Sequence, residues 1–129
     1  MKIKGTIVHG KQLGRTIGFP TANLQPDDPA VVTAQNGVYV ALIAVEGYPE
    51  PMKCMLNQGS HPTVPEGAPT IEAHVLDFSG DLYGKRVAVE YLHFIRPEVR
   101  FGSLDELKAQ IARDGETARG YFRSLEEKE

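Results

Sequence analysis

The chain has 129 residues, 41% of them hydrophobic and 24% charged, which is ordinary for one globular domain with a core of its own. Its formal net charge is −3 and its basic residues are scattered, which argues against a nucleic-acid surface or a polybasic membrane anchor. The single cysteine excludes an internal disulfide, the N-terminus lacks an apolar core of signal-peptide length, and no apolar run approaches the length of a membrane span, so we expect a cytoplasmic protein.

The first predicted strand, residues 3–8, leads into a glycine-rich stretch at residues 10–23. Glycine lets a backbone turn tightly and approach a ligand closely, so that its N–H groups can surround phosphate oxygens. The glycines suited to this role are Gly10, Gly14 and Gly18. Arg15 adds a planar cation that matches phosphate oxygens.

Two oxygen-bearing side chains, Thr21 and Asn23, end this stretch. They are hard neutral ligands of the kind that Mg²⁺ accepts when a nucleotide supplies most of the remaining ligands. The Walker phosphate-binding pattern is absent, and the spacing alone is also compatible with a surface loop that uses its glycines for turns. Residues 24–29, with two prolines and two aspartates, are predicted to continue as a loop rather than as a central strand.

Four further strands are predicted, at residues 37–46, 52–57, 70–78 and 86–95. The first of them is apolar at nearly every position, so we expect it to be buried on both faces. Strands joined by turns without intervening helices indicate an antiparallel sheet, either closed as a barrel or folded as a sandwich, and we favour the barrel.

The tail is predicted to be one helix at about residues 103–127, after a barrel that ends at about residue 97. Ser103 and Glu106 have the spacing of a capping box. An apolar stripe at helical spacing should pack on the barrel; its members are Leu104, Leu107, Ile111, Gly115, Ala118, Phe122 and Leu125. Because glycine costs about 1 kcal/mol relative to alanine inside a helix, we expect a bend or break at Gly115.

Glu72 is the second candidate for chemistry. It stands at an alternating position of an otherwise apolar strand, on the face that also carries Leu76 and Phe78. A carboxylate buried there would need a partner, so either this face meets solvent or the carboxylate has a chemical role. The residues alone favour the solvent-exposed face.

Three blocks of the chain resemble the riboflavin kinase (flavokinase) family. Residues 14–23, Gly-Arg-Thr-Ile-Gly-Phe-Pro-Thr-Ala-Asn, are similar to its signature G-R-x-[LI]-G-[FI]-P-T-A-N. Residues 70–85, with Thr70-Ile71-Glu72-Ala73-His74, look like its second block, and residues 94–107 look like its third. The resemblance runs from about Gly5 to Arg119. It departs from the family at residues 57–63, where His61 stands at a position in which another basic residue is common.

The resemblance implies one kinase domain, residues 1–129, that transfers the γ-phosphoryl group of ATP to the 5′-hydroxyl of riboflavin and gives FMN and ADP. It also implies a mainly β fold, a six-stranded antiparallel Greek-key barrel with a C-terminal helix packed against it. Glu72 is then the catalytic base, and Thr21 and Asn23 hold Mg²⁺, with Zn²⁺ or Mn²⁺ as alternatives. The ATP-binding residues are then Gly10, Gly14, Arg15, Gly18, Thr21 and Asn23. We expect this loop to meet Glu72 across the barrel.

Arg96 and Phe101 are placed to contact the flavin if the loop after Pro97 folds over the barrel mouth, since a flavin ring needs apolar walls and a few polar groups. The structural alternative is that Phe101 fastens the helix to the barrel and that Arg96 pairs with Glu98 or Asp105.

Two other functions remain open: a non-catalytic flavin or nucleotide carrier, and an oligonucleotide-binding barrel, which the negative charge and the absence of tryptophan disfavour. The expected partners are riboflavin and ATP, without nucleic acid or membrane. Bacterial members of the family often carry a second domain that makes FAD, so a separate or fused FAD-forming adenylyltransferase is a further possible partner.

Overall fold

The computed structural model describes residues 1–8, 22–59, 69–78, 80–99 and 101–127. Within these ranges the chain forms six strands, a single-turn 3-10 helix at Pro29–Val31 and one long helix. The strands and the long helix are β1 Lys2–Val8, β2 Ala22–Pro26, β3 Gly37–Val45, β4 Met52–Gly59, β5 Thr70–Val75, β6 Arg86–Pro97 and α1 Leu104–Glu127.

The six strands close into an antiparallel barrel in the order β1-β2-β5-β4-β3-β6. Two crossovers, from β2 to β3 and from β5 to β6, produce the Greek-key order, and β6 closes the barrel by pairing with both β1 and β3. This confirms the predicted fold class and excludes the sandwich. Closure leaves no open sheet edge, which antiparallel sheets otherwise have to protect.

Strand β2 shows that the loop predicted at residues 24–29 was partly wrong. Ala22–Pro26 forms a strand that lies between β1 and β5, and is therefore central in the barrel. The proline is tolerated because it is the last residue of the strand, opposite Gly5. The next residue, Asp27, resumes the backbone hydrogen bonding by donating its N–H to the carbonyl of Lys4 at 3.0 Å.

The barrel interior is filled by apolar side chains from all six strands. One buried polar side chain, Gln58, is fully enclosed and hydrogen-bonded. It donates to the carbonyl of Ala34 at 2.7 Å and to Asn36 Oδ1 at 3.1 Å, and it accepts from the Tyr91 hydroxyl at 2.9 Å. Burial raises the pKa of Tyr91 above its ordinary range and the pKa of the enclosed Cys54 thiol to about 12.

The long helix packs on the outer wall of the barrel. Ala118 and Phe122 contact the outward-facing side chains of Val40, Met55 and Leu76. Because α1 covers Val40 from outside, most of β3 is buried on both faces, as its apolar sequence predicted. Among the described ranges, α1 lacks the apolar length that crossing a membrane would require.

Helix α1 differs from the prediction in the exposure of its ends and in its continuity at the middle. Leu104 and Leu125 are exposed, so only the central part of the stripe meets the barrel. The capping interaction is formed, since the Ser103 hydroxyl accepts the N–H of Glu106 at 3.2 Å. Of the expected bend or break at Gly115, the break is excluded, because the helix is continuous from residue 104 to 127; its packing on the barrel compensates for the weak helix propensity of glycine.

A substitution at Gly5 tests how closely β1 and β2 approach each other. A Cβ atom at this position would collide with the backbone carbonyl of Gln25 and lie 2.7 Å from Leu24 Cδ1. We expect Gly5→Ala to lower the free energy of unfolding by about 1–3 kcal/mol through overpacking. Gly120→Ala is the matched control, because an added Cβ meets its nearest heavy atom at 3.9 Å and a helix favours alanine by about 1 kcal/mol. Urea unfolding measures both; equal stability of the two variants would contradict this packing.

Candidate functional site

Three polar residues lie side by side on neighbouring strands. Glu72 on β5 is the register partner of Asn23 on β2 and, on its other side, of Asn57 on β4. Directly opposed residues of an antiparallel pair point to the same face, with Cβ atoms about 4.5–5.5 Å apart. Asn23, Glu72 and Asn57 therefore form a row across three strands, which we call the polar row.

The polar row lies on the outer wall of the barrel. Its sequence neighbours Leu24, Leu56 and Ile71 point inward and are at most 5% exposed. Asn23 and Glu72 are half-buried and Asn57 is exposed. Asn23, the last residue of the predicted loop, therefore does not face Glu72 across the barrel as expected: the two lie on one wall, and the barrel interior is packed with side chains.

Most of the predicted ATP-binding residues, namely Gly10, Gly14, Arg15, Gly18 and Thr21, lie outside the described residues, as do His61 and Thr63. The described residues that flank this part of the chain are Val8, where β1 ends, and Ala22, where β2 begins. Val8 is the register partner of Asn23. Both flanking residues thus lie beside the polar row.

The chemistry of the polar row combines one carboxylate with two amides. A carboxylate can accept the proton of an alcohol, and an amide offers both a donor and an oxygen acceptor. The amide oxygen of Asn23 is a hard neutral ligand, which fits a Mg²⁺ ion that takes its negative charge from a nucleotide. Within the described ranges no group of three or more His, Cys, Asp and Glu side chains is placed to hold a metal.

Arg96 forms a buried ion pair with the helix. Its Nε lies 3.0 Å from each carboxylate oxygen of Asp114, and its Nη2 lies 2.8 Å from Oδ2. The side chains are only 17% and 4% exposed, and Gln110 donates a further hydrogen bond to Asp114 Oδ1 at 3.0 Å. The expected pairing of Arg96 with Glu98 or Asp105 is therefore wrong; the partner is one that joins β6 to the middle of α1.

Phe101 lies beside Arg96, whose guanidinium carbon is 5.6 Å from the centre of the ring. The two residues predicted to contact a flavin are thus together. They are also aligned with the polar row, because Asn57 is opposite Val38 on β3, and Val38 is opposite Arg96 on β6. Three strand spacings separate Glu72 from Arg96, or about 14 Å along the wall.

Asn57 and Asp114 were not identified from the sequence. Asn57 begins the segment 57–63 that was compared with the family, but no local pattern shows its proximity to Glu72, which depends on the register between β4 and β5. Asp114 did have a sequence signal, because it is a carboxylate next to Gly115, a member of the apolar stripe of α1. In the structure it is only 3% exposed.

The family model and the curated relatives name the same family. The family model for flavokinase, described as riboflavin kinase, matches residues 1–122. An Escherichia coli K12 protein named bifunctional riboflavin kinase/FMN adenylyltransferase is 48% identical over 120 residues, which are 93% of this chain and 37% of that protein. The chain thus spans less than two fifths of the length of this curated relative.

Two solved structures are similar. The riboflavin kinase of Trypanosoma brucei has a TM-score of 0.72 and 27% identity over 95% of this chain and 76% of that one. A Streptococcus pneumoniae structure described as a macrolide-efflux protein has a TM-score of 0.82 and 35% identity over 92% of this chain and 38% of that one. Both share the fold described above.

The Arg96–Asp114 pair leads to a stability prediction. Asp114→Asn keeps the shape and leaves a largely buried guanidinium without its counter-charge, so we expect the free energy of unfolding to fall by about 3 kcal/mol. The control is Glu126→Gln, which breaks the exposed Lys53–Glu126 pair and should cost less than about 1 kcal/mol. If urea unfolding gives equal losses for the two variants, the buried pair does not have this role.

Proposed function

Because this chain belongs to the riboflavin kinase family, we propose that it transfers the γ-phosphoryl group of ATP to the 5′-hydroxyl of riboflavin and releases FMN and ADP. The observation that carries the proposal is the register of β2 against β5, which sets a metal-type oxygen ligand, Asn23, directly opposite a carboxylate, Glu72. A phosphoryl transfer from a nucleotide to an alcohol needs these two functions side by side.

Glu72 takes the proton of the acceptor. Its carboxylate orients the 5′-hydroxyl and receives the proton as the new O–P bond forms and the bond between the γ-phosphorus and the β–γ bridging oxygen breaks. The electron pair of the broken bond leaves with ADP. Glu72 lies in a strand whose flanking residues Ile71 and Ala73 are each 1% exposed, and this packing fixes the backbone from which the carboxylate projects.

Asn23, together with Thr21 from outside the described residues, would hold Mg²⁺, with Zn²⁺ or Mn²⁺ as alternatives. When bound, the ion neutralises negative charge on the phosphate oxygens. Neither proposed ligand is charged, so the protein alone binds the ion weakly, and the phosphates of the nucleotide supply the negative charge that holds it. Gly10, Gly14 and Gly18 would shape the loop around the phosphates, and Arg15 would add a permanent positive charge.

The flavin would be held at the far end of the wall. Phe101 offers an aromatic face, and the pairing with Asp114 keeps Arg96 in a fixed orientation beside it. We also propose a cytoplasmic location, because the buried Cys54 thiol suits a reducing compartment. The name of the Escherichia coli relative includes FMN adenylyltransferase, and such an enzyme, fused or separate, could use the FMN formed here.

Glu72→Gln tests the proton acceptor. The substitution keeps the shape and removes the base, so we expect turnover to fall by about 10²–10⁴-fold while riboflavin binding is largely kept. A coupled assay for ADP, with and without riboflavin, measures the reaction, and Glu90→Gln on β6 serves as the control acid. Unchanged turnover would remove Glu72 from the mechanism, and riboflavin-independent ADP release would contradict the proposed acceptor.

Two experiments test the proposed role of Asn23 as a metal ligand. Calorimetric titration of the protein with Mg²⁺ alone should show only weak binding, because the proposed protein ligands are neutral. Asn23→Leu should abolish turnover through loss of the ion. Tight binding of Mg²⁺ without nucleotide would contradict this ligand set, and so would activity that a higher riboflavin concentration restores in the variant.

A further inference from the structure

Asn57 lies at a boundary on the outer wall. Met55, two residues earlier on the same face of β4, is covered by Ala118 and Phe122 of α1 and is 5% exposed. Asn57 is exposed. The helix therefore covers the wall up to the row of Met55 and leaves the polar row open, so a ligand can reach Glu72 over Asn57.

The two amides flank Glu72 on opposite sides, Asn23 on β2 and Asn57 on β4. In phosphoryl transfer the attacking and leaving oxygens are roughly in line on opposite sides of the phosphorus. If the nucleotide and its metal occupy the Asn23 side, as proposed above, the acceptor alcohol approaches from the Asn57 side. Arg96 and Phe101, the proposed flavin contacts, lie farther along in the same direction.

The acceptor is a ring system joined to its reacting hydroxyl by a polyol chain. With the ring near Phe101 and the hydroxyl at Glu72, the row of opposed residues between them passes Val38 on β3 and Asn57 on β4. Val38 is apolar and 5% exposed, whereas Asn57 is polar and exposed, so Asn57 is the residue of this row that the polyol chain can contact. The backbone at Asn57 is held in place, because the next residue, Gln58, is fully buried and hydrogen-bonded to Ala34, Asn36 and Tyr91. An amide that both donates and accepts is complementary to a secondary hydroxyl.

We propose that Asn57 is a specificity-determining residue: its amide hydrogen-bonds a secondary hydroxyl of the ribityl chain and selects polyol-bearing flavins over flavins with a shortened or deoxygenated side chain. This inference rests on the proposed function. A site that hydrogen-bonds a substrate hydroxyl discriminates against the analogue that lacks it, because the polar group of the protein then loses its partner.

The test compares wild type, Asn57→Ala and a control, Lys53→Ala, with riboflavin and a set of deoxyriboflavins that each lack one secondary hydroxyl. Lys53 lies on the same strand and is exposed. Loss of one neutral hydrogen bond corresponds to about a three- to tenfold weaker interaction. We expect Asn57→Ala to raise the KM for riboflavin by that factor, to leave the KM for ATP unchanged, and to bind riboflavin and one deoxy analogue equally. Lys53→Ala should behave like wild type.

Equilibrium binding of the same flavins, followed by quenching of flavin fluorescence, gives a readout that does not require turnover. If wild type releases no ADP with riboflavin, the proposed kinase fails, while the fluorescence titrations still decide the role of Asn57. Unchanged discrimination among all analogues in Asn57→Ala would overturn the inference. A fall in kcat shared by all flavins, with a shifted pH profile, would also overturn it, because Asn57 would then act by positioning Glu72.

Discussion

The register of β5 against its two neighbours is the constraint on which the site depends. Side chains of a strand alternate between the two faces, so a slip of one residue would carry Glu72 into the barrel and turn Ile71 outward. The apolar partners on the inner face prevent this slip, since Ile71 and Ala73 are buried against the barrel core. The hydrophobic core therefore determines the position of a carboxylate that does not belong to it.

In the closed barrel the packed core lies inside, and the polar row lies on the outer wall. The barrel interior is occupied by packed side chains and by the hydrogen-bonded Gln58, so the proposed ligands would bind on the outer wall. Helix α1 then divides that wall into a covered part, over Val40 and Met55, and an open part that carries the polar row. The Arg96–Asp114 pair is a further contact between the barrel and the helix, because it joins β6 to the middle of α1.

The family assignment and the geometry support each other without being the same argument. The family model covers residues 1–122, and the Escherichia coli relative shares 48% of 120 residues. Neither comparison says which side chains face each other. That information comes from strand pairing, which sets Asn23 and Asn57 on either side of Glu72.

The sequence alone was enough for the barrel, the C-terminal helix and the family, because alternation, helical spacing and the stretch Gly14 to Asn23 are local patterns. It was not enough for β2, since a proline at the end of a strand reads as a turn until the pairing with Gly5 is known. The partner of Arg96 and the place of Asn57 beside Glu72 were likewise decided only by tertiary structure. Such contacts join residues far apart in the chain, and they depend on strand order and register, which no single segment encodes.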